Sequence, residues 1–157
     1  EYWRQLVGSA RNRLYLGGIG FTGWKGMPGM REELRATAVT GCDIRILTMD
    51  GQNPAFPHIL NPNVTAHDHA SQGQSLVEAR AWFRSAIQDG QKAEVRALSR
   101  GVLFQQIVVC DGKALISPYL YSASTGFSPR LEISKNSTAF GAFVREFEEL
   151  WKANDAA

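Results

Sequence analysis

The segment VLFQQIVVCDGKALIS, residues 102–117, restricts the possible folds more than any other part of the chain. Two apolar, β-branched runs flank Asp111-Gly112, and an Asp-Gly pair between such runs is a strong short-range signal for a β-hairpin. A lone two-stranded ribbon is marginal in water, so the rest of the chain must supply strands for it to join. The stretches RLYLGGIGF (13–21) and DIRILTMD (43–50) read as two of them. Between them PGMREELRATAVTG (28–41) reads as a helix, with Pro28 near its first turn, Leu34 and Ala38 inward, and Gly41 as its stop. Strand, helix, strand makes a parallel pair with a right-handed crossover the natural topology. AEVRALS (93–99) supplies a further strand.

The remaining segments are helical or irregular. Tyr2, Trp3, Leu6 and Val7 share one helical face that ends near residues 8–12. Residues 51–70 hold three prolines and three histidines without a regular period, and read as a long loop. Leu76, Ala79, Phe83 and Ile87 carry the apolar stripe of the next helix, closed by Gly90. Phe140, Phe143, Val144, Phe147, Leu150 and Trp151 recur at helical spacing behind Asn136-Ser137-Thr138, which can cap them. The expected fold is α/β, a mixed and mostly parallel sheet flanked by helices.

At 157 residues the chain is one domain, 1–157, large enough to bury a core without staples. Apolar residues at 44% and charged residues at 20% exclude a disordered tail. No apolar run approaches a membrane span and the first residues lack a signal-peptide block, which favours the cytoplasm. The two cysteines, Cys42 and Cys110, lie in or beside apolar segments without metal-site spacing and read as buried free thiols. The formal charge of +2 permits an anionic ligand without demanding one. The chain opens on Glu1 rather than Met, which is compatible with a domain processed or cut from a longer polypeptide.

The element order, with GCDIRILTMD after the first crossover, resembles one half-domain of the phospholipase D superfamily over nearly the whole chain. In that family the strand before the hairpin carries His-x-Lys, four residues, then Asp. The resemblance puts Asp111 at the acidic position, Phe104 where the nucleophilic histidine belongs and Gln106 where the lysine belongs. Positions 104 and 106 share one strand face. Phosphodiester transfer by this route needs a group that attacks phosphorus and a cation that neutralises the oxygens. Phenylalanine cannot attack, and glutamine carries no charge. The polar stretch that follows in active members is poorly matched by ISPYLYSAS, which offers Ser117, Ser122 and Ser124. The resemblance therefore implies a degenerate half-domain, of the kind attached to bacterial helix-turn-helix regulators, and a homodimer with Phe104 at the seam. DNA would be contacted through a domain absent from this chain.

Other signals lead in bland and functional directions alike. Gly18-Ile-Gly20-Phe-Thr-Gly23 matches a dinucleotide fingerprint, but Gly26 and Pro28 interrupt the helix that should begin beneath a pyrophosphate, so it reads as a strand-to-helix loop. His58, His67 and His69 with Asp68 could bind a metal or act as relocated catalytic groups, or be exposed loop histidines; no metal or cofactor is expected. Arg96 and Arg100 are candidates to meet an anion, with Lys25, Arg45 and Lys113 as candidate neighbours. Phe21, Trp24, Tyr119 and Tyr121 could stack on a ligand. The expected site for a small anionic or polar ligand combines Phe104, Gln106, Asp111, Ser117, Arg96, Arg100, Trp24 and Gly20. The expected function is non-catalytic ligand sensing and dimerisation within a transcription regulator; the alternative is a phosphodiesterase or nuclease using the loop histidines.

Overall fold

The computed structural model describes residues 1–59, 69–87, 92–120 and 128–154. Strands β1 (Arg13–Gly18), β2 (Asp43–Met49) and β3 (Ala93–Leu98) run parallel. Between β1 and β2 lies α2 (Met30–Val39); between β2 and β3 lie α3 (Phe56–Ile59) and α4 (His69–Ile87). Strand β4 (Gln105–Cys110) lies antiparallel against the other edge of β1, followed by β5 (Lys113–Pro118) and β6 (Leu131–Ser134). The strand order is β3-β2-β1-β4-β5-β6. The sheet is mixed, as expected, but it has two parallel and three antiparallel pairings rather than a parallel majority. The added antiparallel pairing comes from β6, the short segment LEIS that sequence reading passes over because three of its four residues are exposed.

The two faces are covered differently. Helix α1 (Tyr2–Ser9), α2 and α4 bury one face around Leu16, Ile46 and Val108. Helix α5 (Thr138–Ala153) covers most of the other, joined at the carboxyl end of the parallel strands by Phe56 of α3 and Leu76 of α4. Its stripe Phe140, Val144, Phe147 and Trp151 is buried as the spacing predicts, each side chain contributing roughly 1.5–3 kcal/mol. Phe147 stacks on Tyr15 at 5.0 Å, and this approach requires Gly17 in β1, where a Cβ would come within 2.9 Å of the Phe147 ring. Ser137 caps α5 by accepting the Ala139 N–H. Gly41 takes the left-handed conformation (φ 86°) that stops α2. Asn154 fastens the far end of α5: its Oδ1 accepts the N–H groups of Ser99 and Arg100, while its Nδ2 donates to the carbonyls of Arg100 and Leu150.

Both cysteines are buried free thiols. Burial pushes the Cys42 thiol up to about 11, so it stays protonated at neutral pH. No helix among the described residues is long and apolar enough to cross a membrane.

Candidate functional site at the carboxyl end of the parallel strands

Strand register decides which side chains can meet. On the face covered by α1, α2 and α4, Leu115, Val108, Leu16, Ile46 and Val95 form one apolar row across five strands. Two residues nearer the carboxyl ends of β1–β3, that face turns polar: Ser117 lies opposite Gln106, and Thr48 lies between Gly18 and Ala97. The carboxyl ends of parallel strands are where open α/β sheets commonly hold ligands.

Gln106 and Ser117 are paired here, and Phe104 stands just before β4. Phe104 accepts the Tyr119 N–H at its carbonyl (3.1 Å) and is 72% exposed. Gln106 is half-buried and Ser117 buried. Beside them Tyr119 Oη accepts the Ile19 N–H at 2.8 Å, and burial raises its pKa far above the ordinary phenol value. Phe21 adopts a left-handed backbone (φ 52°), uncommon for an aromatic residue, and its ring closes over Gly18. Neither Phe104 nor Gln106 supplies a nucleophile or a cation.

Other expected members belong elsewhere. Trp24 is a core residue at 4% exposure, set edge-on to Phe21 at 5.4 Å and tilted against Trp3 and Phe83, so it offers no ring face to a ligand. Gly20 is buried, and a Cβ there would come within 2.6 Å of Leu76. Asp111 lies at the opposite end of β4 from Gln106, about 17 Å along the strand. It caps β1 instead: its carboxylate accepts the backbone N–H groups of Arg11, Asn12 and Arg13 at 3.0, 2.8 and 3.1 Å. Burial pushes the Asp111 carboxyl up, but these three bonds outweigh it and hold its pKa below the usual range.

The two arginines are also displaced. Arg96 points to the α5 face, where it donates to Glu94 and to the Trp151 carbonyl and lies 4.1 Å from the Trp151 ring centre. Arg100 follows β3, three strand spacings or roughly 14 Å from β4. Among the candidate neighbours, Lys25 pairs with Glu78, Arg45 with Asp43 and Lys113 with Glu132. A cleft of about 650 Å³ lies at the amino ends of β2 and β3, bounded by Asp43, Arg45, Lys92, Glu94, Arg96 and Trp151. Its carboxylates are already engaged by the neighbouring arginines.

The fingerprint glycines do not open a long helix: a 3-10 turn spans Thr22–Gly26, and α2 starts at Met30. His58 lies in α3 with its side chain exposed, while His67, the side chain of His69, Tyr121, Ser122, Ser124 and Gly90 lie outside the described residues. Among the described residues, no three His, Cys, Asp or Glu side chains gather as metal ligands.

Sequence reading overlooks one residue of this end, Arg80. It follows Leu76 by four on the inward stripe of α4 and is 6% exposed. Its Nη1 donates to Thr48 Oγ1 at 3.2 Å and to the Met49 carbonyl at 2.7 Å, so α4 delivers a guanidinium to the end of β2. A charged residue on an otherwise apolar stripe was the available signal.

No protein-family model matches the chain, and no curated protein sequence matches it significantly. Among solved structures, the chain is similar to TrmBL2, an archaeal chromatin protein whose structure shows a novel mode of DNA binding, at 15% identity and a TM-score of 0.62. That similarity covers 99% of this chain and 49% of the TrmBL2 chain, so the chain spans about half the length of TrmBL2. It is also similar to Nuc from Salmonella typhimurium, a phospholipase D family member, at 13% identity and a TM-score of 0.59, covering 96% of this chain and 85% of Nuc. These likenesses, joined to the sheet order and crossovers above, establish a phospholipase-D-like α/β fold.

Proposed function

We propose that the chain is a non-catalytic, phospholipase-D-like ligand-sensing and dimerisation module of a larger transcription regulator. The observation that carries this reading is the exposed Phe104 ring, at the position the resemblance assigns to the nucleophile, with neutral Gln106 beside it. Phe104 is 72% exposed, and Leu120, next to the Tyr119 whose N–H the Phe104 carbonyl accepts, is exposed as well, so the two offer apolar surface to a second copy. Similarity to half of a DNA-binding chromatin protein supports a place in a larger nucleic-acid-associated polypeptide, with DNA contacted by another part.

Two measurements test the reading together. Sedimentation at micromolar concentration is expected to give a dimer that Phe104→Asp dissociates, and bis-p-nitrophenyl phosphate is expected to survive incubation with the protein. A monomer at every concentration removes the dimerisation role. Metal-independent turnover of the phosphodiester removes the non-catalytic assignment, and turnover lost on substituting His67 or His69 installs the enzyme in its place.

A further inference from the structure

Arg80 presents an unusual electrostatic situation. A guanidinium withdrawn from water is costly unless an opposite charge or a full set of acceptors replaces its hydration. Arg80 is 6% exposed, yet only Nη1 is engaged among the described residues, by the neutral Thr48 hydroxyl and the Met49 carbonyl. Its Nε and Nη2 edge, with three of the five guanidinium protons, has no acceptor among the described residues. No carboxylate stands within ion-pair distance of it among the described residues. Asp50 acts on it from farther away and already accepts the Gln52 N–H, while Arg84, one helical turn on, adds positive charge. The guanidinium is anchored through Nη1 at the carboxyl end of β2, which leaves the Nε and Nη2 edge as its remaining donor fork.

We infer that Arg80 is the anion receptor of this domain, taking one oxyanion group, a phosphate or carboxylate, of a small free molecule at the carboxyl end of β2. The inference rests on the ligand-sensing reading above and names the charge the ligand must carry. A planar fork fixed at one nitrogen is suited to two parallel N–H···O bonds with such a group. Its depth selects against a duplex backbone, because a side chain with 6% of its surface exposed cannot meet a phosphate that remains attached to a rigid double helix. Arg80 also supplies, from a helix, the positive charge that Gln106 lacks on the neighbouring polar row.

The test follows the Arg80 Nε–H resonance, assigned through its own side-chain carbons, while the full chain is titrated with inorganic phosphate at constant ionic strength. The expected result is a saturable shift, accompanied by a rise in Tm, with phosphate affinity weakened about tenfold or more in Arg80→Gln. Lys152→Ala, at the exposed end of α5, should bind as the parent does. A shift reproduced by chloride, no shift, or an undiminished phosphate response in Arg80→Gln overturns the receptor. A 12-base-pair DNA duplex that moves the resonance when phosphate does not overturns the small-molecule commitment. Should Arg80→Gln fail to fold, the resonance of the unmodified chain still decides. A chain that ignores phosphate yet remains a dimer loses this receptor and keeps its proposed role; a monomer that hydrolyses phosphodiesters but binds phosphate through Arg80 does the reverse.

Discussion

The two ends of the central strands solve the same problem in opposite ways. At the amino end of β1, three backbone N–H groups converge on one carboxylate, Asp111, and Arg13 Nε returns a bond to the Asp111 carbonyl. Donors and acceptors are matched there. At the carboxyl end the reverse holds: Arg80 has N–H groups without acceptors among the described residues, and Phe104 stands in water. The contrast separates architecture from recognition. Asp111 belongs to the closed end and holds the sheet together, while the open end presents exposed surface.

The largest effect should come from the closed end. Asp111→Ala should lower stability by about 2 kcal/mol in urea titration, since three charge-assisted bonds disappear and water restores part of their worth. A loss no greater than that of an ordinary surface substitution would erase the distinction between the ends. The same group sets a pH dependence. Its folded pKa is depressed, so its stabilisation is complete above the ordinary carboxylate pKa and fades as pH falls through the folded value, below about pH 4. Asp111→Asn should flatten the acid limb of a Tm-against-pH curve without moving the neutral plateau by as much as Asp111→Ala does.

Smaller changes are expected at the open end. Thr48→Val removes one acceptor from Arg80 but leaves the Met49 carbonyl, so a cost of about 1 kcal/mol is expected in the same titration. Phe104→Ser should alter monomer stability by no more than about 0.5 kcal/mol, because a largely hydrated ring contributes little to the core. A larger loss, measured below the dimer dissociation concentration, would mean that Phe104 packs in solution and that the open end is partly closed.

What was legible in the sequence follows the size of the buried signal. Helix α5 announces itself because four of its large side chains are buried at helical spacing, and the β4–β5 hairpin because Asp111-Gly112 interrupts two apolar runs. Strand β6 lacks such a signal, being four residues long and mostly exposed. The site was half legible. Gln106 and Ser117 stand opposite each other because that pairing is local to one hairpin, whose turn the sequence marks. Arg96 and Arg100 were misassigned because their positions depend on strand order and on which face each strand turns to α5, and Trp24 because its burial comes from Trp3 and Phe83, partners that sequence proximity does not reveal. Asp111 shows its turn in the sequence but not its acceptor role, whose donors lie 98 to 100 residues earlier.

That last separation bears on the order in which the molecule can assemble. Strand β1 sits at the middle of the sheet, yet one of its edges is satisfied only by β4 and by a carboxylate 98 residues downstream. During synthesis β1 can pair with β2 early, but its other edge must wait until residue 111 has emerged. Closing so long a loop carries an entropic cost before its contacts form, which predicts slow, non-local folding for a domain of this size. The three-stranded intermediate β3-β2-β1 would expose Tyr15 and Leu16 on an unpaired strand edge, so a nascent chain halted before Asp111 should be the form most prone to associate with its neighbours.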